Sequence, residues 1–509
     1  MSFLNKNRKI ILFLIILIGF ALRFYPATRV PITWDEEKAI ESVQNINFDY
    51  NNLQLPLVDK VSSPEEASPM ASKYLVKLWW FVFGPSLLGT RLLLIIFSMF
   101  SVLIAYFLVK NTLGVKVALL SSLLLSISQF NVALARTISH DSIHIFFVVL
   151  SLFLFYRAFQ KFDKNLVLLN GLIIGLGFWV KESMFFLIPI YFIFLLTQPD
   201  GKKWLKDKYL WISFGLALLI AAPLLIFELD SNLPRHGYFS QVASIGLSLN
   251  SLGFYLGELI LVGIKWGTSL GFFHSLNQKL FPDPLSWAEG GGTFFENISD
   301  AMTRETPPVN FILGIIILVA VVKSIRNKNS LIRLLLVSFL FNFLAFCFIR
   351  KSDIIDGVWS LGALEWGVIG FFPGVILASD MLIKYLKKNT RKNFIFVGLI
   401  ISFIFIRTLN MVVYPLACYF PTTEKCISDY FGDSDRFLKN GKMGLTKNTL
   451  RKIYQVTDNM QEYKIEAALR LSEILIKEGN REQAAEYLHY LILHDPEKGE
   501  IPELLEKLE

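Results

Sequence analysis

An all-α, polytopic integral membrane fold is what this chain predicts, and three observations carry the prediction. It is 53% hydrophobic and only 18% charged, with mean hydropathy +0.50, whereas soluble domains carry about 25% charged residues. The apolar residues gather in runs of about 16–22, long enough to cross a bilayer as helices. Short basic clusters separate these runs and fall on alternate links, as topology signals do. The net charge of +8 therefore reads as topology and not as a nucleic-acid footprint. Three cysteines argue against an iron–sulfur or zinc framework.

About eleven spans follow in order. The first, near 10–25, has a basic inner flank of Lys6, Arg8 and Lys9. It is short enough for a signal peptide, but the many spans after it make it an uncleaved anchor. The next six lie near 91–109, 117–134, 142–160, 166–181, 183–198 and 209–228. The last four lie near 309–325, 331–349, 364–386 and 394–412. Alternation from the first span puts Lys110 with Lys116, the Arg157–Lys164 cluster, the Lys202–Lys208 cluster, "KSIRNK" (323–328) and the Lys384–Lys392 cluster inside. The stretch 252–273 reads as an interfacial helix in a large external loop, 229–308. As a span it would carry Glu258 and Lys265 into lipid and break the alternation.

The first external loop covers about 26–90, and residues 1–412 form the membrane domain. Beyond 412 the composition turns charged and polar, so 413–509 reads as an external helical domain. Within it "AALRLSEILIKEGNREQAAEYLHYLILHDP" (about 465–498) resembles one tetratricopeptide repeat. Gly479 ends its first helix, Ala484 is the small residue where the second crosses, and Asp495-Pro496 closes it. Ala468 stands where an aromatic is usual. One repeat cannot bury its own faces, so it packs on residues 427–460 or stays a plain hairpin. Cys418 and Cys426 lie in this tail and Cys347 in a span; a disulfide between the first two and a pair of free thiols both stay open.

The stretch "PITWDEEKAI" (31–40) sets Asp35, Glu36 and Glu37 just past the first span. One explanation is local. Thr33 and Glu36 have capping-box spacing, and acidic residues suit a helix N-terminus. Glu37 would point about 200° away from Asp35 on such a helix and serves as its control.

The order of the parts adds a second explanation. "ALRFYPA" and "WDEEKA" are followed by "KLWWFVFGPSLLGTRLL", then "ALARTISHDSIHIFF", then "GLIIGLGFWVKESMFFLIP". This set resembles the GT-C superfamily of membrane glycosyltransferases, in particular the protein O-mannosyltransferases and the bacterial aminoarabinose transferases that modify lipid A. The resemblance runs over residues 10–190, is weaker over 309–412 and stops before the tail. The tail is therefore expected to serve acceptor choice.

The resemblance implies transfer of a sugar, with inversion, from a polyprenyl-phosphate donor to a lipid, glycan or protein acceptor at the external face. In that family the acidic pair after the first span carries the catalytic carboxylate, matching Asp35 and Glu36 here, with Asp35 as base. The departing phosphate calls for cations, and Arg136, His140 and Lys181 sit at predicted external span ends. Arginine suits phosphate through its planar fork; the simpler alternative is that each side chain snorkels to the interface. Asp141 either orients His140 or caps the helix that follows.

Two stretches depart from the family pattern. Ser68-Pro69-Met70-Ala71 stands where many relatives carry His-Pro-Pro-Leu, so no role of that imidazole carries over. No cofactor is implied, and a divalent metal stays open. Late in the membrane domain "LEWGVIGFFP" keeps Pro373 and offers Glu365, which faces a cavity or marks a helix entry at the interface. His274, Asp283, Glu289, the glycine run "EGGGTF" and the sequon Asn297-Ile298-Ser299 read as features of a large loop.

The sequence therefore points to a membrane glycosyltransferase, set in a bacterial inner membrane with its site and tail on the periplasmic side. Its partners would be the lipid-linked donor, membrane lipids and an external acceptor, with no nucleic acid. The rivals are a lipid-linked sugar transporter or flippase, and a catalytically inactive scaffold working through the tail. A flippase needs polar residues through the depth of the bundle, whereas here they gather at the external ends.

Overall fold

The computed structural model describes residues 7–46, 58–59, 68–136, 138, 140–229, 311–349, 368–387, 391–413, 423–457, 461–495 and 499–508. The expectations for 252–273, Glu365, His274, Asp283, Glu289, the glycine run, the sequon and Cys418 lie outside the described residues. So do the side chains of Cys347 and Cys426.

Within the described residues, each run expected to span is largely helical. In chain order these are α1 (Arg8–Ala27), then, after the first external loop, α4 (Leu87–Lys110), α5 (Val115–Ile127), α6 (Gln129–Ala135), α7 (Asp141–Lys161) and α8 (Lys164–Phe178). A 3₁₀ turn (Glu182–Phe186) leads into α9 (Leu187–Leu196), then α10 (Gly201–Lys206), α11 (Lys208–Leu229), α12 (Phe311–Ser324), α13 (Ser330–Ile349), α14 (Val368–Leu386) and α15 (Arg391–Val413). Among the described residues, five helices are long and apolar enough to cross a membrane: α1, α4, α7, the Lys208–Ile226 part of α11 and the Ile369–Leu386 part of α14. One buried apolar cluster threads from α1 through α15. Large apolar side chains stay exposed on the outside, among them Phe13, Leu219, Val322 and Phe394. An apolar core inside an apolar coat belongs to a protein in lipid; the chain is an integral membrane protein.

The expected spans at 117–134 and 183–198 differ from single helices. The first breaks at Ser128, whose extended backbone ends α5, and the second opens as the 3₁₀ turn. Non-helical backbone at membrane depth must find partners inside the protein. At Ser128 it does. Arg23, fully buried on α1, donates to Ser126 O at 2.8 Å and Leu125 O at 3.4 Å. Asn131 Nδ2 also reaches Leu125 O, at 3.1 Å, and Thr408 Oγ1 reaches Ile127 O at 2.5 Å. An arginine at the centre of a span costs about 2.5–3.5 kcal/mol on insertion scales, an upper figure for Arg23 near the end of α1. Here carbonyl dipoles and the Ser98 hydroxyl, 3.0 Å from Nε, offset that cost. The break lets α6 turn away and deliver Arg136 at its end.

Two helices lie in the first external loop: α2 (Trp34–Gln44) and α3 (Ala71–Phe83), joined in part by the two-residue antiparallel ladder of β1 (Val58–Asp59) and β2 (Ser68–Pro69). The capping box forms as expected: Thr33 Oγ1 accepts the Glu36 N–H at 3.2 Å, and Glu36 Oε2 accepts the Thr33 N–H at 3.0 Å. Helix α3 exposes Leu78, Phe81 and Val82 on one side, the pattern of a helix lying in the interface.

The tail forms two helical hairpins and a last helix. They are α16 (Thr423–Lys439) with α17 (Met443–Val456), α18 (Gln461–Lys477) with α19 (Arg481–His494), and α20 (Glu500–Leu508). Both hairpins turn on a glycine with positive φ, Gly441 at +70° and Gly479 at +77°, where a Cβ would be strained. The tetratricopeptide-like hairpin does pack on the residues before it. Ala467, Leu471 and Ile474 share a core with Ile427, Tyr430, Phe431, Leu450 and Ile453. Val30, from the link between α1 and α2, joins that same core.

Candidate functional site

Arg91, just past the first turn of α4, is 1% exposed and uses every side-chain N–H it has. Nε and Nη2 form a fork on Glu36, at 2.9 and 2.7 Å. Nη1 donates to Ala27 O and Val30 O, both at 2.8 Å, and Nη2 to Pro31 O at 3.0 Å. One guanidinium thus folds the link from α1 and seats α2 on the bundle. Glu36 is equally occupied, accepting the Ile138 N–H at 2.7 Å besides those of Arg91 and Thr33. Breaking such a buried pair from one side costs about 3–5 kcal/mol.

Helix α2 is held on two faces. Glu36 and Val43 face the bundle, where Val43 packs with Val76 and Leu93. Trp34, Glu37 and Glu41 face the tail. Lys442 forms an ion pair with Glu37 and lies 3.4 Å from Glu41. Glu37 is therefore no bystander, and its expected use as a control for Asp35 fails. At about 100° per residue, position 35 falls on the arc between the two held faces. The Asp35 side chain itself lies outside the described residues.

Ile138 joins α2 to the link between α6 and α7, which carries the other candidates. Arg136, at the end of α6, is 1% exposed. Asp141 opens α7, fully buried, and accepts Lys181 Nζ at 2.9 Å. Lys181 reaches it from the extended residue after α8, itself 3% exposed. The Ala71 N–H donates to Trp179 O at 3.0 Å. That bond docks the start of α3 beside Lys181 and brings in Lys73, 8% exposed. His140 Nε2 stands 3.7 Å from Asp141 Oδ1. Burial pushes the His140 imidazole down to about 4; Asp141 opposes the shift, while Lys181 and Lys73 add to it. The shift favours a neutral His140 imidazole, which offers a hydrogen bond; the sequence had suggested a cation at this position.

Of the expected residues, Glu36, Arg136, His140, Asp141 and Lys181 come together around one link; Glu365 lies outside the described residues. Two residues of this cluster were missed in the sequence. Arg91 had a signal, being the lone charge at the start of the predicted span 91–109. Lys73 had less, since it reads as the polar face of an interfacial helix. Among the described residues no group of three or more His, Cys, Asp or Glu could hold a metal ion. Chemically, the link gathers Arg136 and the Asp141–Lys181 pair in buried surroundings, where water screens charge poorly.

Residues 67–227 match the family described as dolichyl-phosphate-mannose-protein mannosyltransferase. A protein of Aquifex aeolicus is 33% identical over 145 residues, covering 28% of this chain and 29% of that one. The lipid A galacturonosyltransferase RgtD of Rhizobium johnstonii is 29% identical over 129 residues, covering 25% of this chain and 27% of that one. The chain thus spans under a third of the curated relatives it matches. The oligosaccharyltransferase AglB from Archaeoglobus fulgidus, solved with an inhibitory peptide and a dolichol-phosphate, superposes with TM-score 0.53 at 14% identity. That superposition covers 83% of this chain and 57% of AglB. The fold is that of AglB.

Proposed function

We propose that this protein transfers a sugar from a polyprenyl-phosphate donor to an acceptor at the external face of a bacterial inner membrane. The observation that carries the proposal is the seating of α2. The buried Glu36–Arg91 pair fixes the helix against the link that carries Arg136 and the Lys181-paired Asp141, inside a fold and family match of glycosyltransferase type. Asp35 is the base. It takes the proton of the acceptor hydroxyl or amine as that atom bonds to the anomeric carbon. The bond from that carbon to the phosphate oxygen breaks, its electron pair leaves with the polyprenyl phosphate, and the configuration inverts. A positioned base contributes about 10²–10⁴ in rate, and fixed cations on a leaving group contribute as much or more. Arg136 and Lys73 receive the phosphate together with Lys181, which Asp141 orients. Glu36 and Arg91 are positioning residues. Residues 1–412 form the transfer domain and 413–509 a helical domain on the same external side, a placement supported by the contact of α2 with the tail.

The test is release of polyprenyl phosphate by the protein in liposomes, offered a panel of polyprenyl-phosphate sugars and an acceptor. The enzyme releases it in step with transfer. A flippase moves the donor across without release, and a scaffold does neither; either result overturns the proposal. Arg23, buried on α1, is engaged by backbone carbonyls, which supports the enzyme reading over a flippase.

A further inference from the structure

The contact between α2 and the tail is more than proximity. Asp433 on α16 accepts the backbone N–H of Trp34 at 3.3 Å, from 399 positions away along the chain. Trp34 is the first residue of α2, so this N–H has no partner within the helix. The capping box satisfies the Glu36 N–H and leaves Trp34 to the tail. The Trp34 ring lies 5.6 Å from that of Phe437, tilted at 52°. Lys442, just past the Gly441 turn, completes the clasp on Glu37 and Glu41. Burial alone would lower the Lys442 pKa, but these two carboxylates more than reverse that and raise it, so the clasp stays charged. Val30, buried in the tail core, anchors the link just ahead of α2.

We infer that the C-terminal helical domain is a positioning element of the transfer site. In this reading Asp433 and Lys442 hold the first turns of α2 so that position 35 stays presented between the helix's two held faces. The inference rests on the proposed transferase reading for its catalytic consequence, but not for the contact itself. It also changes what the tail does. Acceptor choice was the role expected of it; the clasp gives it a hand in the transfer step. A helix carrying a general base tolerates little drift, since a misplacement of about 1 Å can cost about 10²-fold in rate.

The experiment uses the full chain in detergent or nanodiscs. The test variant combines Asp433→Asn with Lys442→Met. A second, Lys442→Arg, restores the charge, and Lys447→Met is the control because Lys447 pairs with Glu478 inside the tail. Amide hydrogen exchange across 34–44 is measured beside transfer kinetics. In the test variant, exchange in α2 should rise about tenfold while α4, α7 and α18 stay unchanged, as expected for local opening. Turnover should fall about tenfold or more with donor KM unchanged. Lys442→Arg should keep both near normal, and Lys447→Met should move neither. Unchanged exchange in α2 overturns the inference, and so does faster exchange with undiminished turnover. If the unaltered protein releases no polyprenyl phosphate, the transferase reading falls and the catalytic half of the inference with it. The exchange data still decide whether the tail holds α2.

Discussion

The two sides of α2 are held by the same chemistry in opposite surroundings. On the bundle side, Glu36 and Arg91 are each 1% exposed and share a two-pronged ion pair. On the tail side, Lys442 keeps 27% of its side chain exposed and Glu41 39%. A buried pair broken from one side costs about 3–5 kcal/mol, whereas an exposed one contributes about 0.2–1 kcal/mol. The bundle side therefore decides whether the external loop folds, and the tail side adjusts where the helix sits. A protein that needs a fixed base and an adjustable approach to it can divide the work this way.

The comparison breaks first at Arg91. Arg91→Ala should destabilise by about 3–5 kcal/mol, read as a collapse of the folded fraction in detergent on heating or by size-exclusion. A near-normal melting curve would mean that the buried pair does not seat α2. Arg136→Met tests the cations next. Transfer should fall by about 10²–10³, with thermal stability recorded in parallel to separate lost chemistry from lost folding. Undiminished transfer removes Arg136 from the phosphate site.

His140 sharpens the contrast through pH. Its folded pKa is lowered to about 4 from about 6.5 in an unfolded chain. The unfolded state therefore binds the proton first, and stability falls as pH drops from about 6.5 toward 4. His140→Asn should flatten the melting temperature across that window, and an unchanged slope would place the imidazole in water. The smallest effect belongs to the tail side. Lys442→Met should cost only about 0.2–1 kcal/mol of stability, measured as a small shift in melting temperature. A loss the size of the Arg91 effect would erase the distinction between the two faces.

Much of this was legible in the chain. Hydropathy located the helices because lipid demands long apolar runs and satisfied backbones. Thr33 and Glu36 announced their capping box by spacing alone. The Ser128 break was hidden because "LLLSISQF" keeps its apolar character straight through it. Only Arg23, Asn131 and Thr408, brought in from the fold, allow it. The polar site was half legible: Arg136 and Lys181 stood out as charges at span ends, but Lys73 resembled ordinary interfacial polarity. Glu37 was misread, since a local helix wheel cannot register a lysine 405 positions away. The clasp from Asp433 onto Trp34 had no sequence signal for the same reason.

The central claim is that a pinned α2 presents Asp35 as a base, and Asp35→Asn tests it most directly. The substitution keeps size and much of the capping capacity while removing the proton acceptor. The measurement is the initial transfer rate per folded molecule, with donor binding and thermal stability recorded on the same preparation. The account predicts a rate lower by about 10² or more, with donor binding and melting temperature nearly unchanged. Near-normal turnover in a stable Asp35→Asn protein would contradict it, leaving the acidic run to serve only as the cap and clasp points of α2.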